Sequence, residues 1–155
     1  MTENSPDTLF AASEALTPET LPGHDSDQPS TASADNLRLA LAAAEAADDR
    51  KGGDIVILDV ADVAYLADYF IFISGLSPTQ VKAIANSIEA ALEAQFQRLP
   101  RHVEGLAEGR WVLQDYGDIV IHCFMPEERE FYNLEAFWSH GKRLDWQPVQ
   151  QEVHV

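Results

Sequence analysis

The stretch Tyr69-Phe-Ile-Phe-Ile-Ser-Gly75, followed at once by Ser77-Pro78-Thr79-Gln80, constrains the fold more than any other part of the sequence. The first piece is apolar and rich in β-branched and aromatic residues, which suits a buried strand. The second is a strong helix start: Ser77 can cap, Pro78 takes the first helical position, and Gln80 completes a capping box. Val81, Ile84, Ala85, Ile88, Leu92 and Phe96 then mark one face of a helix of about twenty residues, with Pro100 as its stop. A buried strand that feeds a long amphipathic helix predicts a right-handed β-α-β crossover.

Other elements fall into place around this unit. Ser33 or Asp35 can cap a first helix, with Leu37, Ala40, Leu41, Ala44 and Ala47 on one face and Gly52-Gly53 at its end. Asp54-Ile-Val-Ile-Leu-Asp-Val60 is a short apolar run between turn signals and reads as a strand. Arg101 to Glu104 forms a short strand, and Arg110 to Phe124 a hairpin turning around Tyr116-Gly117, where glycine accepts positive φ. Pro126-Glu-Glu-Arg-Glu opens a last helix, its acids placed well for the N-terminal dipole. Phe131, Leu134 and Phe137 or Trp138 form its expected inner face, and Gly141 its cap. The order α-β-β-α-β-β-β-α predicts a mixed α/β (α+β) domain of three layers with a mixed five-stranded sheet over residues 35–146. Residues 1–34, rich in Ser, Thr, Pro, Ala and acids, are expected to be a disordered acidic tail, and residues 147–155 a loose end.

Charge narrows the function. The 155 residues carry 26 acids against 10 bases, a net of −16. Residues 1–35 hold seven of the acids (Glu3, Asp7, Glu14, Glu19, Asp25, Asp27, Asp35) and no Lys or Arg, which leaves −9 for the remainder. A chain so anionic is repelled by phosphates and by anionic membranes, so generic nucleic-acid and membrane binding are disfavoured. Solubility and attraction to basic partners are favoured. One cysteine, Cys123, allows no intrachain disulfide. No apolar run reaches the ~20 residues of a membrane span. The N-terminal stretch lacks a signal or transit pattern, so the expected location is a bacterial-type cytoplasm.

Candidate chemistry is sparse. No phosphate-cradling glycine loop and no Cys/His metal spacing are present. His122 and Cys123 share a strand, so their side chains should point to opposite faces; the expectation is a buried thiol and a surface imidazole. Asp54, Asp59, Asp62 and Asp68 cluster near Ser74-Gly75, which would suit a nucleotidyltransferase holding Mg²⁺ against phosphates. However, no D-x-D pair sets two carboxylates on one strand face. Trp111-Val-Leu-Gln-Asp-Tyr-Gly-Asp118 is the more unusual segment. Aromatic rings joined to carboxylates at a sheet corner suit a protein interface. The alternative is that Trp111 is core and that Asp115 and Asp118 only shape the turn.

A resemblance covers about residues 36–146. It is carried by Asp54-Ile-Val-Ile-Leu-Asp59, Ala67-Asp-Tyr-Phe70, Ser74-Gly75 with Ser77 and Gln80-Val81, Glu104-Gly105, Trp111-Val-Leu-Gln-Asp-Tyr-Gly-Asp118 and Arg129-Glu-Phe-Tyr-Asn-Leu-Glu-Ala-Phe-Trp138. In that order they resemble the RsfS/Iojap family of ribosomal silencing factors. The resemblance implies a nucleotidyltransferase-like but catalytically silent fold, no cofactor or metal, and a translation repressor. Its partner would be ribosomal protein L-fourteen on the large subunit, with subunit joining blocked when nutrients are scarce; homodimers occur in the family. Carried onto this chain, the implied contacts are Trp111, Leu113, Asp115, Tyr116 and Asp118, then Asp68 and Tyr69, then Glu127, Arg129 and Tyr132. For Asp68 the alternative of bracing the fold by capping a turn stays open. Gln114 stands where the family usually has an apolar residue.

Overall fold

The computed structural model describes residues 33–65 and 67–148. The acidic tail up to residue 32 and the terminal residues 149–155 lie outside the described residues. The chain runs α1 (Ala34–Asp49), β1 (Gly53–Asp59), β2 (Tyr69–Ser74), α2 (Pro78–Phe96), β3 (His102–Glu104), β4 (Trp111–Asp115), β5 (Ile119–Phe124), α3 (Pro126–Tyr132), α4 (Leu134–Phe137) and β6 (Lys142–Leu144). The sheet order is β3-β4-β5-β2-β1-β6. Every neighbouring pair is antiparallel except β2 and β5, which run parallel from Tyr69↔Ile119 to Ser74↔Phe124. All six residues of each of these two strands are buried, as the continuous apolar run of β2 requires. The crossover between them carries α2 and also the β3–β4 pair.

The sheet therefore has six strands instead of the five expected. The addition, β6, pairs with β1 from Asp59↔Lys142 to Ile57↔Leu144. Three residues, two of them charged, carry no periodicity to read; backbone pairing with an open edge makes them a strand. The last helix is also two pieces, α3 and α4. Asn133 between them takes a left-handed conformation with φ 47°, and α4 stops at Phe137, short of the Gly141 expected to cap it.

One sheet face lies under α1 and α2. Ile57, Ile71, Ile73, Ile119 and Ile121 meet Val81, Ile84, Ile88 and Leu92 there, with every one of these side chains fully buried. On α1, Leu39 is buried and the expected Leu41 is 36% exposed. Ala40, Ala43, Ala44 and Ala47 dominate the inner face, and their small side chains let the helix sit close. The other sheet face is aromatic. Phe70, Phe72 and Phe124 pack with Val56, Leu58 and Val120 beneath Val60, Ala64, Ala67 and Trp138, so the third layer is a loop and a short helical segment.

Gln80 ties the helix layer together. Ser77 Oγ accepts from the Gln80 backbone N–H at 3.1 Å, as the capping box predicts. The return bond goes one residue further out, from Leu76 N–H to Gln80 Oε1 at 2.7 Å. Gln80 Nε2 also donates to the carbonyls of Arg50 and Lys51 at 3.2 and 3.0 Å, which closes the end of α1. There the left-handed residue is Lys51 (φ 65°). Gly52 is required for closeness instead: a Cβ would come 2.8 Å from Ile73 Cγ2 and 2.9 Å from the Ala47 carbonyl oxygen. At the far end α2 stops in left-handed Gln97 (φ 55°), before Pro100 is reached.

Gln80→Ala removes the acceptor for Leu76 and the donor for two helix-end carbonyls. We expect it to lower unfolding free energy by about 1 kcal/mol or more, measured by urea denaturation, with an unchanged folded spectrum.

Candidate partner-binding site

Strand alternation sorts the motif residues of β4. Val112 and Gln114 face the helices and are buried, while Trp111, Leu113 and Asp115 lie on the other face and are half-buried. Gln114 Nε2 donates to the Ala85 carbonyl at 2.9 Å. The residue that departs from the family pattern thus sits in the core, away from this stripe. Register with β3 places Glu104 opposite Leu113 and His102 opposite Asp115, and His102 Nε2 lies 2.6 Å from Glu104 Oε2.

Trp111 is held from two sides. Its indole Nε1–H donates to His122 Nδ1 at 3.1 Å, and its ring lies 4.7 Å from that of Tyr132. The bond assigns the His122 proton to Nε2. His122 stacks on Phe72 at 5.2 Å with 11° between planes. At 2% exposure it is not the surface imidazole expected; alternation gives the face, not whether that face is covered. Burial pulls its pKa down to about 3. Cys123 points the other way into the helix-side core, as expected, and burial pushes its thiol up to about 12 against the opposing pull of Arg129.

The hairpin turn forms where the sequence placed it. Gly117 has φ 88°, and its N–H donates to Asp115 Oδ1 at 2.7 Å. Tyr116 N–H donates to the Ile119 carbonyl at 2.9 Å. Tyr116 itself, expected to give contact area, turns inward and is 3% exposed. Its hydroxyl finds no hydrogen-bond partner among the described residues, and burial raises its pKa, helped by Glu89. In this conformation it presents no surface to a partner. Asp118 is exposed and ion-paired with Arg98 at 3.6 Å.

The remaining motif residues divide by role. Asp68 Oδ2 accepts from Ser33 N–H at 3.0 Å and from Asn36 Nδ2–H at 2.9 Å, and Asp68 N–H donates to the Asp118 carbonyl at 2.8 Å. The Asp68 carboxylate thus braces the start of α1. Tyr69 is buried on the helix face, and burial with nearby Asp59 and Asp68 raises its hydroxyl to about 12. Arg129 is buried to 11% side-chain exposure. It grips Glu135 through two bonds of 2.7 and 2.9 Å and donates to Ser74 Oγ at 2.8 Å, holding α3 and α4 onto the sheet end. Glu127 and Glu128 pair with Arg110. Phe131, expected inside, is 80% exposed, and Tyr132 is 50% exposed. The break at Asn133 shifts the helical phase, so Trp138 fills the core and Phe131 does not. Phe131 and Tyr132 line an open groove with Arg110, Glu127 and Glu128.

The acids of the alternative, enzymatic reading are spread over other tasks. Asp54 is exposed in a left-handed conformation (φ 46°). Asp59 accepts from Ala61 N–H at 3.1 Å, and Asp68 braces α1. Among the described residues no group of three or more His, Cys, Asp or Glu is placed to hold a metal ion, and no helix is long and apolar enough to cross a membrane.

A mixed six-stranded sheet with α1 and α2 on one face and a part-exposed aromatic, apolar and acidic stripe on the other defines a small mixed α/β domain. A family model described as ribosomal silencing factor during starvation matches residues 31–155. The ribosomal silencing factor RsfS of Bacillus subtilis is 41% identical over 103 residues, covering 66% of this chain and 86% of that one. RsfS of Zymomonas mobilis is 37% identical over 133 residues, with 86% and 98% covered. A crystal structure of a protein from Chromobacterium violaceum superposes with a TM-score of 0.65 at 33% identity, covering 76% of this chain and 94% of that one. The chain belongs to the RsfS family of ribosomal silencing factors.

Two outcomes follow from the site's chemistry. In the folded chain His122 stays neutral down to about pH 3, whereas its unfolded pKa is near 6.5. The unfolded state therefore binds the extra proton between those values. Stability is full above pH 6.5 and falls as pH drops, by about 1.4 kcal/mol per unit from this residue. His122→Gln, which keeps an acceptor for Trp111, should flatten the pH dependence of urea denaturation between pH 6 and 4 by roughly one proton. Asp68→Ala should cost about 1 kcal/mol and speed amide hydrogen exchange in the first turn of α1.

Proposed function

We propose that this protein binds the large ribosomal subunit through ribosomal protein L-fourteen and sterically blocks joining of the small subunit, lowering translation under nutrient limitation. The observation that carries the reading is the half-exposed stripe Trp111, Leu113, Asp115 on motif positions of the family, continued by Tyr132 and flanked by Asp118. Rings and aliphatic carbons there supply area that can be desolvated, and the carboxylates select basic side chains. A net charge of −9 over residues 36–155 favours a basic ribosomal protein over RNA as the direct contact. Occlusion needs no catalysis: an interface of ~1,200–2,000 Å² is enough for a specific complex, and the body of the domain then fills the joining surface. The setting is the compartment in which such ribosomes work, a bacterial-type cytoplasm.

The test is a subunit-joining assay with purified subunits and the full chain. Leu113→Lys and Tyr132→Ala change half-exposed side chains and should leave folding intact. We expect each to weaken large-subunit binding by about tenfold or more and to restore joining in proportion. Normal binding and normal blocking by both variants would remove the stripe from the mechanism. Tyr116→Ala is no substitute, because emptying a buried site destabilises the fold.

A further inference from the structure

This inference rests on the reading of the β4–β5 hairpin as partner contact, and concerns what the hairpin acids do before a partner arrives. Neither is free. Arg101, which leads into β3, sets its Nε 3.5 Å from Asp115 Oδ1. Its guanidinium also lies over the tip of the turn: a Cβ on Gly117 would stand 3.6 Å from Arg101 Cζ. Arg98, just past α2, donates from Nη2 to the Tyr116 carbonyl at 2.8 Å and pairs with Asp118 at 3.6 Å. Two arginines from the segment joining α2 to β3 thus cover a turn that carries two acids.

The two cations are not equivalent. Arg98 is bonded to the turn backbone and belongs to its structure. The Arg101 side chain is 66% exposed and holds Asp115 at ion-pair distance, while Asp115 Oδ1 is already committed to Gly117 N–H. We infer that Arg101 is a specificity-determining residue of the partner-binding face: an internal competitor that occupies Asp115 until a partner's cation displaces it. A lone lysine on a passing protein gains little by exchanging one cation for another on the same carboxylate. A surface presenting several cations, or a guanidinium in two-bond geometry, gains more than Arg101 gives up. Weakly basic surfaces are thereby rejected, at the cost of some affinity for the right one.

The experiment measures binding of the full chain to purified large subunits across a salt series, for wild type, Arg101→Gln, Arg101→Lys, Asp115→Asn and the double variant Arg101→Gln/Asp115→Asn. Arg101→Gln should bind about two- to fivefold tighter at low salt, with a steeper loss as salt rises. Arg101→Lys keeps the charge and should bind as wild type. Asp115→Asn should weaken binding, and the double variant should match Asp115→Asn alone. If Asp115→Asn weakens binding while Arg101→Gln leaves it unchanged, the competitor role falls and the hairpin contact stands. The same holds if Arg101→Gln binds more weakly, which would make Arg101 itself a contact, to a phosphate or a carboxylate. If neither substitution alters binding, the hairpin is not a contact and both readings fall.

Discussion

The parallel pairing of Tyr69–Ser74 with Ile119–Phe124 is the constraint on which the rest depends. A parallel pair cannot be joined by a tight turn, so the chain must cross over the sheet before it returns. It does so through α2, and on the way back lays down β3 and β4 outside β5. The hairpin stripe is therefore a consequence of that crossover: β4 reaches the open side of the sheet because β5 has to take the place beside β2. With both strands buried on both faces, a one-residue slip would turn isoleucines toward the aromatic face and phenylalanines toward the helices.

The two faces are built from different materials for different ends. The helix face is aliphatic, with alanines on α1 that permit close approach and Gln80 fastening both helix termini. The opposite face is aromatic and is covered by the loop after β1 and by Trp138. Trp111 lies at its margin, fixed by a neutral histidine beneath and a half-exposed tyrosine beside it. Such an anchor loses little conformational freedom when a partner covers it, which is what an interface residue of high energetic yield needs.

Much of this was legible in the sequence, and the exceptions have physical causes. The long helix, its Ser77 cap, both central strands and the Gly117 turn were readable, because period, capping chemistry and positive φ are local properties. The edge strand β6 was not, since a three-residue strand with Lys142 and Arg143 is made by its neighbour. His122 was assigned to the right face and the wrong environment, because alternation says nothing of what lies on top. Phe131 was expected inside together with Phe137 or Trp138, but left-handed Asn133 breaks the helical phase, so Trp138 reaches the core and Phe131 does not. Tyr116 was read as a contact from its motif, yet it turns inward beyond the end of β4. The motif was therefore legible as a segment, and alternation separates Trp111, Leu113 and Asp115 from the helix-facing Val112, Gln114 and Tyr116, while the bracing roles of Asp68 and Arg129 came only from tertiary packing.

The central claim is that a small acidic domain silences by covering a joining surface with the stripe of β4 and the exposed end of α3. Its most direct test is an amide hydrogen-exchange footprint of the full chain on purified large subunits. The account predicts added protection over residues 111–118 and 131–132 on complex formation, with the outer faces of α1 and α2 unchanged. Protection confined to α1 and α2, with the hairpin exchanging as in the free chain, would contradict it.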